Sequence, residues 1–343
     1  MVNQSVLVLL VASLAIACGK GATPTAPTGA ILATQVDVQS SLSAAFDALT
    51  IPASAACSIS ISQHGQVVLE RGRGQIAAGS PASADSLYRI ASLTKPITAS
   101  AVLISEQAGR LSRSDKINRF LAYPEPAPTI DELVKHIPGL PDYLATPAYQ
   151  TGRTSPTTVE TLVPLVQPWD GVRRYQYSNS HAILTGAALQ QANGLRYENV
   201  VQRDIFGPAG MSRSSFALPS AAESFQFPLS THPSWVYAAG GITSTAADMN
   251  RFNQALLSNR FGFGAVESFD RSAAGVTSFG MGSGGGGGDL RFTHAGALDT
   301  YSSFSIMFPA DQSSVVVLCN FNNNNPDAFF SFVMGIRTIM HGS

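Results

Sequence analysis

Charge is scarce in this 343-residue chain: Asp, Glu, Lys and Arg together make up 13% of it, and the formal net charge is −1. So neutral a chain lacks the long-range field that holds a phosphate backbone, which excludes nucleic acid as an expected partner. Lysine is rarest, with Lys20, Lys95, Lys116 and Lys135 the whole complement, so the setting of each one carries information. No apolar run is long enough to span a bilayer comfortably; the longest of note, Val6 to Ala17, has the length of a signal-peptide core. The six histidines show no H-E-x-x-H or related spacing, which excludes a zinc mechanism, and no cofactor is implied. No G-K-[ST] follows the run Gly284 to Gly288, so that run reads as a connector and not as a phosphate loop. Internal repeats are absent.

What is present is apolar. Hydrophobic residues form 45% of the chain, beside 30 Gly and 20 Pro, a globular composition with enough material for a packed core. The N-terminus, MVNQSVLVLLVASLAIAC, reads as an export signal: Ala15-Ile16-Ala17 fits small-residue cleavage, and Cys18 fits the lipidation cysteine of a bacterial lipoprotein. The competing reading is a buried first helix. Residues 19–33, small and Pro-rich, read as a tether. These features predict an exported protein, periplasmic, lipid-anchored to the envelope or secreted, that meets a membrane only through such an anchor. Export leaves Cys57 and Cys319 in a compartment that permits disulfides, although spacing alone does not pair them.

From Val38 to Leu49 the apolar residues follow helical spacing. The period then changes to two in CSISISQHGQVVLE, a hairpin turning at Gln63-His64-Gly65. A helix is predicted from near Ser92 toward Gln107, with Gly109 to stop it. From about 111 to 274 the pattern is mostly helical. Strands return in TYSSFSIMF and SSVVVLCNF, which flank the turn Pro309 to Gln312. A last helix carries Asn325 as cap, Pro326 in the first turn, and a stripe of Phe329, Phe330, Val333 and Ile336. The expected fold is α+β, an antiparallel sheet flanked by N- and C-terminal helices, with the α/β part at about 34–110 and 275–343 and a helical insertion at about 111–274. A cleft between the two parts is the natural place for an active site.

The chemistry centres on Ser92-Leu93-Thr94-Lys95. One helical turn separates Ser92 from Lys95, so the amine can reach the hydroxyl. Serine is a poor nucleophile at neutral pH and needs a nearby base, which a desolvated lysine can be. Most Ser-x-x-Lys pairs on helices are solvated surface pairs, but Lys95 lies inside IASLTKPITASAVLI, where an isolated charge is unexpected without a purpose. The start of a helix also offers free backbone N–H groups for an oxyanion hole.

The segment YRIASLTKPITASAVL resembles the first motif of the serine β-lactamase-like and penicillin-binding-protein superfamily, in its class C β-lactamase, D-Ala-D-Ala carboxypeptidase and esterase branch. RYQYSNSHAILTGAALQ resembles that family's Tyr-x-Asn element, at Tyr177 and Asn179, and RFTHAGALDTYSSFSIMFP its third motif, at His294, Ala295 and Gly296. Shorter echoes lie at KHIPGLPDY, IFGPAGM and AAGGITSTAADM. The resemblance implies that Ser92 attacks a carbonyl while Lys95 and Tyr177 share acid and base duties. Asn179 would orient Lys95 and bind the acyl portion, with His294 and Gly296 flanking the substrate. The N–H groups of Ser92 and Ala297, the latter expected on an edge strand, would form the oxyanion hole. It also places the first and last strands side by side, which implies a Cys57–Cys319 bridge. Taken alone, Tyr177 fits a core tyrosine and Asn179 a turn or cap residue equally well.

Three departures from the family pattern follow. His294 stands where the β-lactamases of this branch carry Lys-Thr-Gly; an ordinary histidine is partly charged near pH 7, which makes it a weak cation whose hold on a substrate carboxylate fades as pH rises. His-x-Gly is instead typical of the peptidase-like and esterase-like relatives. His136 to Gly139 reads His-Ile-Pro-Gly where His-Thr-Ser-Gly is usual, and one extra residue falls between Gly171 and Tyr177. The expected function is an exported serine hydrolase acting on a D-Ala-type peptide or a small ester, with a class C-like β-lactamase and a non-catalytic penicillin-binding scaffold or sensor as the alternatives.

Overall fold

The alternation in CSISISQ folds as a strand with two buried faces. In the computed structural model, which describes residues 28–341 except 78, 219, 221–230, 263, 265–271, 273–274, 286–289 and 322–325, β1 spans Ala56–Gln63 and β2 Gln66–Ala77. His64 and Gly65 join them with positive φ at both positions (51° and 73°), the backbone that a tight two-residue hairpin requires. Cys57, Ile59 and Ile61 face one side of the sheet. Ser58, Ser60 and Ser62 face the other, equally buried, where Ser58 meets the Tyr88 hydroxyl and Ser60 and Ser62 bond Asn250. A buried hydroxyl is tolerated only when so partnered.

The remaining strands are β3 (Ser80–Pro81), β4 (Tyr88–Arg89), β5 (Thr243–Ser244), β6 (Gly282–Gly284), β7 (Arg291–Leu298), β8 (Tyr301–Phe308) and β9 (Ser313–Cys319). Seven form an antiparallel sheet in the order β3-β2-β1-β9-β8-β7-β6, and β4 pairs with β5 apart from it. The first and last long strands are therefore neighbours, as the resemblance implied. Cys57 is directly opposite Cys319 in the ladder, and the two are bonded as a disulfide.

Helix α1 (Thr28–Ala48) starts earlier than the Val38 expected from its pattern, inside the stretch read as tether. Residues 1–37 and 38–343 are separate units; Cys18 and the signal-like run lie outside the described residues. Within the second unit, Leu42 and Phe46 of α1 cover one sheet face together with Phe329, Val333 and Ile336 of α11 (Pro326–His341). Phe330 is only half-buried, and Asn325 lies outside the described residues. The other face packs on the helices between: α2 (Thr94–Gln107), α3 (Ile130–Val134), α4 (Pro147–Gly152), α5 (Val159–Leu162), α6 (Asn179–Asn193), α7 (Tyr197–Val201), α8 (Gly207–Ala209), α9 (Pro233–Gly240) and α10 (Ala246–Leu257). The fold is the α+β arrangement read from the sequence.

The bridge closes a very long chain segment, with 262 residues of sequence separation. Removing it as Cys57→Ala/Cys319→Ala is expected to lower unfolding free energy by about 2–4 kcal/mol, because the cross-link restricts the unfolded chain. Urea denaturation of oxidised protein against the double variant measures this; equal midpoints would contradict it.

Candidate active site

Ser92 sits in a 3-10 turn, Ala91–Leu93, that runs directly into α2. Ala91 adopts φ 48°, a left-handed conformation that costs a non-glycine residue roughly 1 kcal/mol or more. Pro96 falls within the first helical turn, where a missing N–H breaks no bond. Lys95 is 5% exposed, and its Nζ donates to Ser92 Oγ (3.0 Å), Asn179 Oδ1 (2.7 Å) and the Ala239 carbonyl (2.9 Å). Those acceptors engage all three ammonium protons. The helical spacing of Ser92 and Lys95 thus becomes a direct contact, as expected.

Asn179 opens α6, with Ser178 as the capping residue through its side chain. Its amide is oriented from behind: Nδ2 donates to Asp142 Oδ2 (2.8 Å), which also accepts the Asn179 backbone N–H (3.1 Å), so the oxygen is left to face Lys95. The sequence reading had no role for Asp142; its only signal was a place in the KHIPGLPDY echo. Ala239 comes from α9, where Tyr237 breaks the helix with φ 33° and ψ −122°. That break turns two successive carbonyls toward α2, Ala238 accepting from Thr98 Oγ1 (2.8 Å) and Ala239 from Lys95.

The Tyr177 ring lies with its centroid 4.9 Å from Lys95 Nζ and is 43% exposed. This is cation–π range. Among the described residues, no hydrogen bond joins its phenol to Ser92 or Lys95; Ser92 and Tyr177 line the cleft, and Lys95 lies buried beside it. Behind the ring stands His136, centroid to centroid 4.6 Å, with His181 beyond it. No sequence spacing links these two histidines, yet the fold brings their Nδ1 atoms to 2.8 Å. His181 Nε2 accepts from the Leu140 N–H (3.3 Å), which places its proton on Nδ1 and makes His136 Nδ1 the acceptor. Burial, above all, holds both imidazoles neutral, with Lys95 reinforcing the effect and the Ser178 carbonyl opposing it at His181; His136 lies well below the usual range and His181 falls to about 3.

His294 corrects an expectation. Desolvation, and then the Lys95 charge, push its imidazole down to about 4, against the opposing hydrogen bond from Nδ1 to the Ala295 carbonyl (2.7 Å). The ring is only partly buried, with Nδ1 as donor, and both causes disfavour the cation expected there. A second correction concerns β7. It is not the outermost strand, since β6 pairs with it, but that pairing covers only Arg291 to Thr293 and leaves His294 to Leu298 without a strand on the outer side among the described residues. Gly296 lies on this open stretch, so close to the turn that holds Ser92 that a Cβ would stand 2.9 Å from Ser92 N, 2.7 Å from the Ile90 carbonyl and 2.4 Å from Ser303 Oγ. That closeness brings the Ser92 and Ala297 backbones beside each other, as an oxyanion hole needs.

The family description Beta-lactamase matches residues 46–331. The chain belongs to the beta-lactamase family. Among curated proteins, penicillin-binding protein 4* of Bacillus subtilis is 26% identical over 226 residues, 55% of this chain and 49% of that protein. The chain spans about half the length of such beta-lactamase-family relatives. Among solved structures, a class C beta-lactamase from Rhodobacter sphaeroides superposes with a TM-score of 0.72 at 17% identity, covering 90% of this chain and 99% of the other. The D-amino acid amidase of Ochrobactrum anthropi SV3 does so with a TM-score of 0.71 at 20% identity, covering 90% and 99%. Family members are serine hydrolases.

Substituting Gly296→Ala is expected to force β7 away from the turn that holds Ser92 and to slow acylation by at least about 10-fold, the scale of a disturbed oxyanion donor. Single-turnover kinetics with a p-nitrophenyl ester would test it; an unchanged rate would show that the close approach is unimportant.

Proposed function

We propose that this protein is an exported serine hydrolase that forms an acyl-enzyme on Ser92 and acts on uncharged carboxylic esters or amides. The observation that carries this reading is the Ser92 hydroxyl bonded to a buried lysine beside a cleft of neutral groups. Ser92, Tyr177, Asn179, Leu144, Val236 and Leu298 are among the residues lining a cavity of about 430 Å³, and no charged side chain lines it among the described residues. With His294 uncharged as well, such a cleft favours acyl donors without a carboxylate close to the scissile bond.

Ser92 Oγ would attack the carbonyl carbon as its proton passes to the Lys95 and Tyr177 pair. Lys95 donates to Ser92 in the resting arrangement, so the pair can take the Ser92 proton only in the form that carries one proton fewer, a neutral amine beside the Tyr177 phenol, the lost proton having gone to solvent. The developing oxyanion would be met by the N–H groups of Ser92 and Ala297, and the protonated leaving group would depart. Water then attacks the acyl carbon, and the same pair returns a proton to Ser92. Export is supported by the apolar Val6 to Ala17 run and by the Cys57–Cys319 disulfide, since such bonds persist in oxidising compartments.

A fluorophosphonate probe is expected to label wild-type protein and not Ser92→Ala. In a panel of p-nitrophenyl esters, nitrocefin and a D-Ala-D-Ala peptide with its C-terminal amide, the esters and the amide should be turned over fastest. Because His294 loses its proton near pH 4, the ratio of amide to free-carboxylate peptide turnover should stay flat from about pH 5 to 8. A preference for the carboxylate that falls about tenfold across that range would assign a charged His294 and defeat the neutral-cleft reading, as would nitrocefin outpacing every ester.

A further inference from the structure

The two halves of the oxyanion hole come from segments far apart in sequence, and among the described residues no strand pairs with the outer edge of β7 where it carries Ala297. We propose that a buried ion pair, Arg89 with Asp299, is the clamp that sets the two N–H groups in register, which makes both of them positioning residues. The proposal rests on the acyl-enzyme reading above.

Arg89 lies three residues before Ser92 and Asp299 two residues after Ala297. Their side chains meet at 2.8 Å between Nη1 and Oδ2 and are 2% and 9% exposed. Neither lines the cavity, so neither is placed to touch substrate. Asp299 is heavily engaged. Its Oδ2 also accepts from Thr231 N (2.8 Å), and its Oδ1 accepts from Thr231 Oγ1 (3.0 Å) and Arg153 Nη1 (3.3 Å). Four donors therefore fill a carboxylate at the turn between β7 and β8, where Asp299 itself holds φ 53°. A left-handed aspartate persists when its surroundings over-determine it.

Arg89 is fixed on its own side. It sits in β4 opposite Thr243, the next residue bonds Ile242 (Ile90 N to Ile242 O, 3.1 Å), and Ser303 Oγ of β8 donates to the Ile90 carbonyl (2.7 Å). The segment leading to Ser92 and the segment leaving Ala297 are thus tied twice, once through Ser303 and once through the ion pair. As a stability device the ion pair would be a poor choice, since apolar residues of similar volume serve as well or better. As a positional device it fits, because a charge-assisted bond fixes both distance and direction.

Asp299→Asn keeps the side-chain shape and removes the charge. Its acylation rate with a p-nitrophenyl ester and its affinity for an arylboronic acid, which becomes tetrahedral and anionic on Ser92, are both expected to fall about 10–100-fold, while KM changes less than about threefold. A merely structural role would not divide the effects in this way. A folded Asp299→Asn protein with wild-type acylation rate and boronate affinity overturns the clamp, and so does a loss carried wholly by KM. If its thermal melt shows that Asp299→Asn does not fold, Thr231→Val, which deletes one donor to the same carboxylate, is the deciding variant: boronate affinity should drop at least about threefold, and an unchanged value overturns the proposal. Wild-type protein unlabelled by fluorophosphonate would instead defeat the reading of the site itself; labelled wild type beside an unaffected variant defeats the clamp alone.

Discussion

Everything around the cleft is organised by the need to keep one ammonium, Lys95, in a place where water does not reach it. An unpaired buried charge is very costly, by several kcal/mol even after relaxation, so each proton must find an acceptor. The three acceptors come from three directions: Ser92 from the turn before α2, Asn179 from the start of α6 and the Ala239 carbonyl from the break in α9. Meeting that requirement fixes where these elements sit relative to one another. Ser92 is placed as a by-product, since it is itself one of the acceptors.

Two left-handed non-glycine residues fall where this arrangement demands them. Ala91 and Tyr237 both hold positive φ, one immediately before Ser92 and the other just before the carbonyl that receives Lys95. Such conformations cost of order 1–3 kcal/mol each and survive because packing leaves no alternative. At Tyr237 that packing is visible: the ring stands against Tyr197, and Gly186 of α6 admits it only because a Cβ there would come within 2.8 Å of the ring.

Much of this could be read from residue order. A single lysine in an apolar helix marks itself, and the change of period from 3.6 to 2 and back marked the terminal hairpins, because local pattern and tertiary role agree there. The rest depends on contacts between remote segments. Asp142 meets Asn179 across 37 positions, and His136 meets His181 across 45; neither pairing has a local signature. The lowered pKa of His294 has no local signature either, since an ordinary imidazole titrates near neutrality and only the folded cleft, with Lys95 at hand, moves it. The edge character of β7 was half legible: the three residues of β6 cover its first part and leave the functional part open.

The cystine across β1 and β9 has a topological consequence of its own. With that bond closed, the whole stretch from Cys57 to Cys319 becomes a covalent ring whose fastening lies in the middle of the sheet, between strands that carry no residue of the reactive cleft. Segments within the ring can lengthen, shorten or change sequence without loosening the place where it is tied. The knot is nonetheless only one strand from the cleft, since Cys319 stands opposite Ser302 of β8, a residue of the cleft wall, so the fastening also anchors that wall.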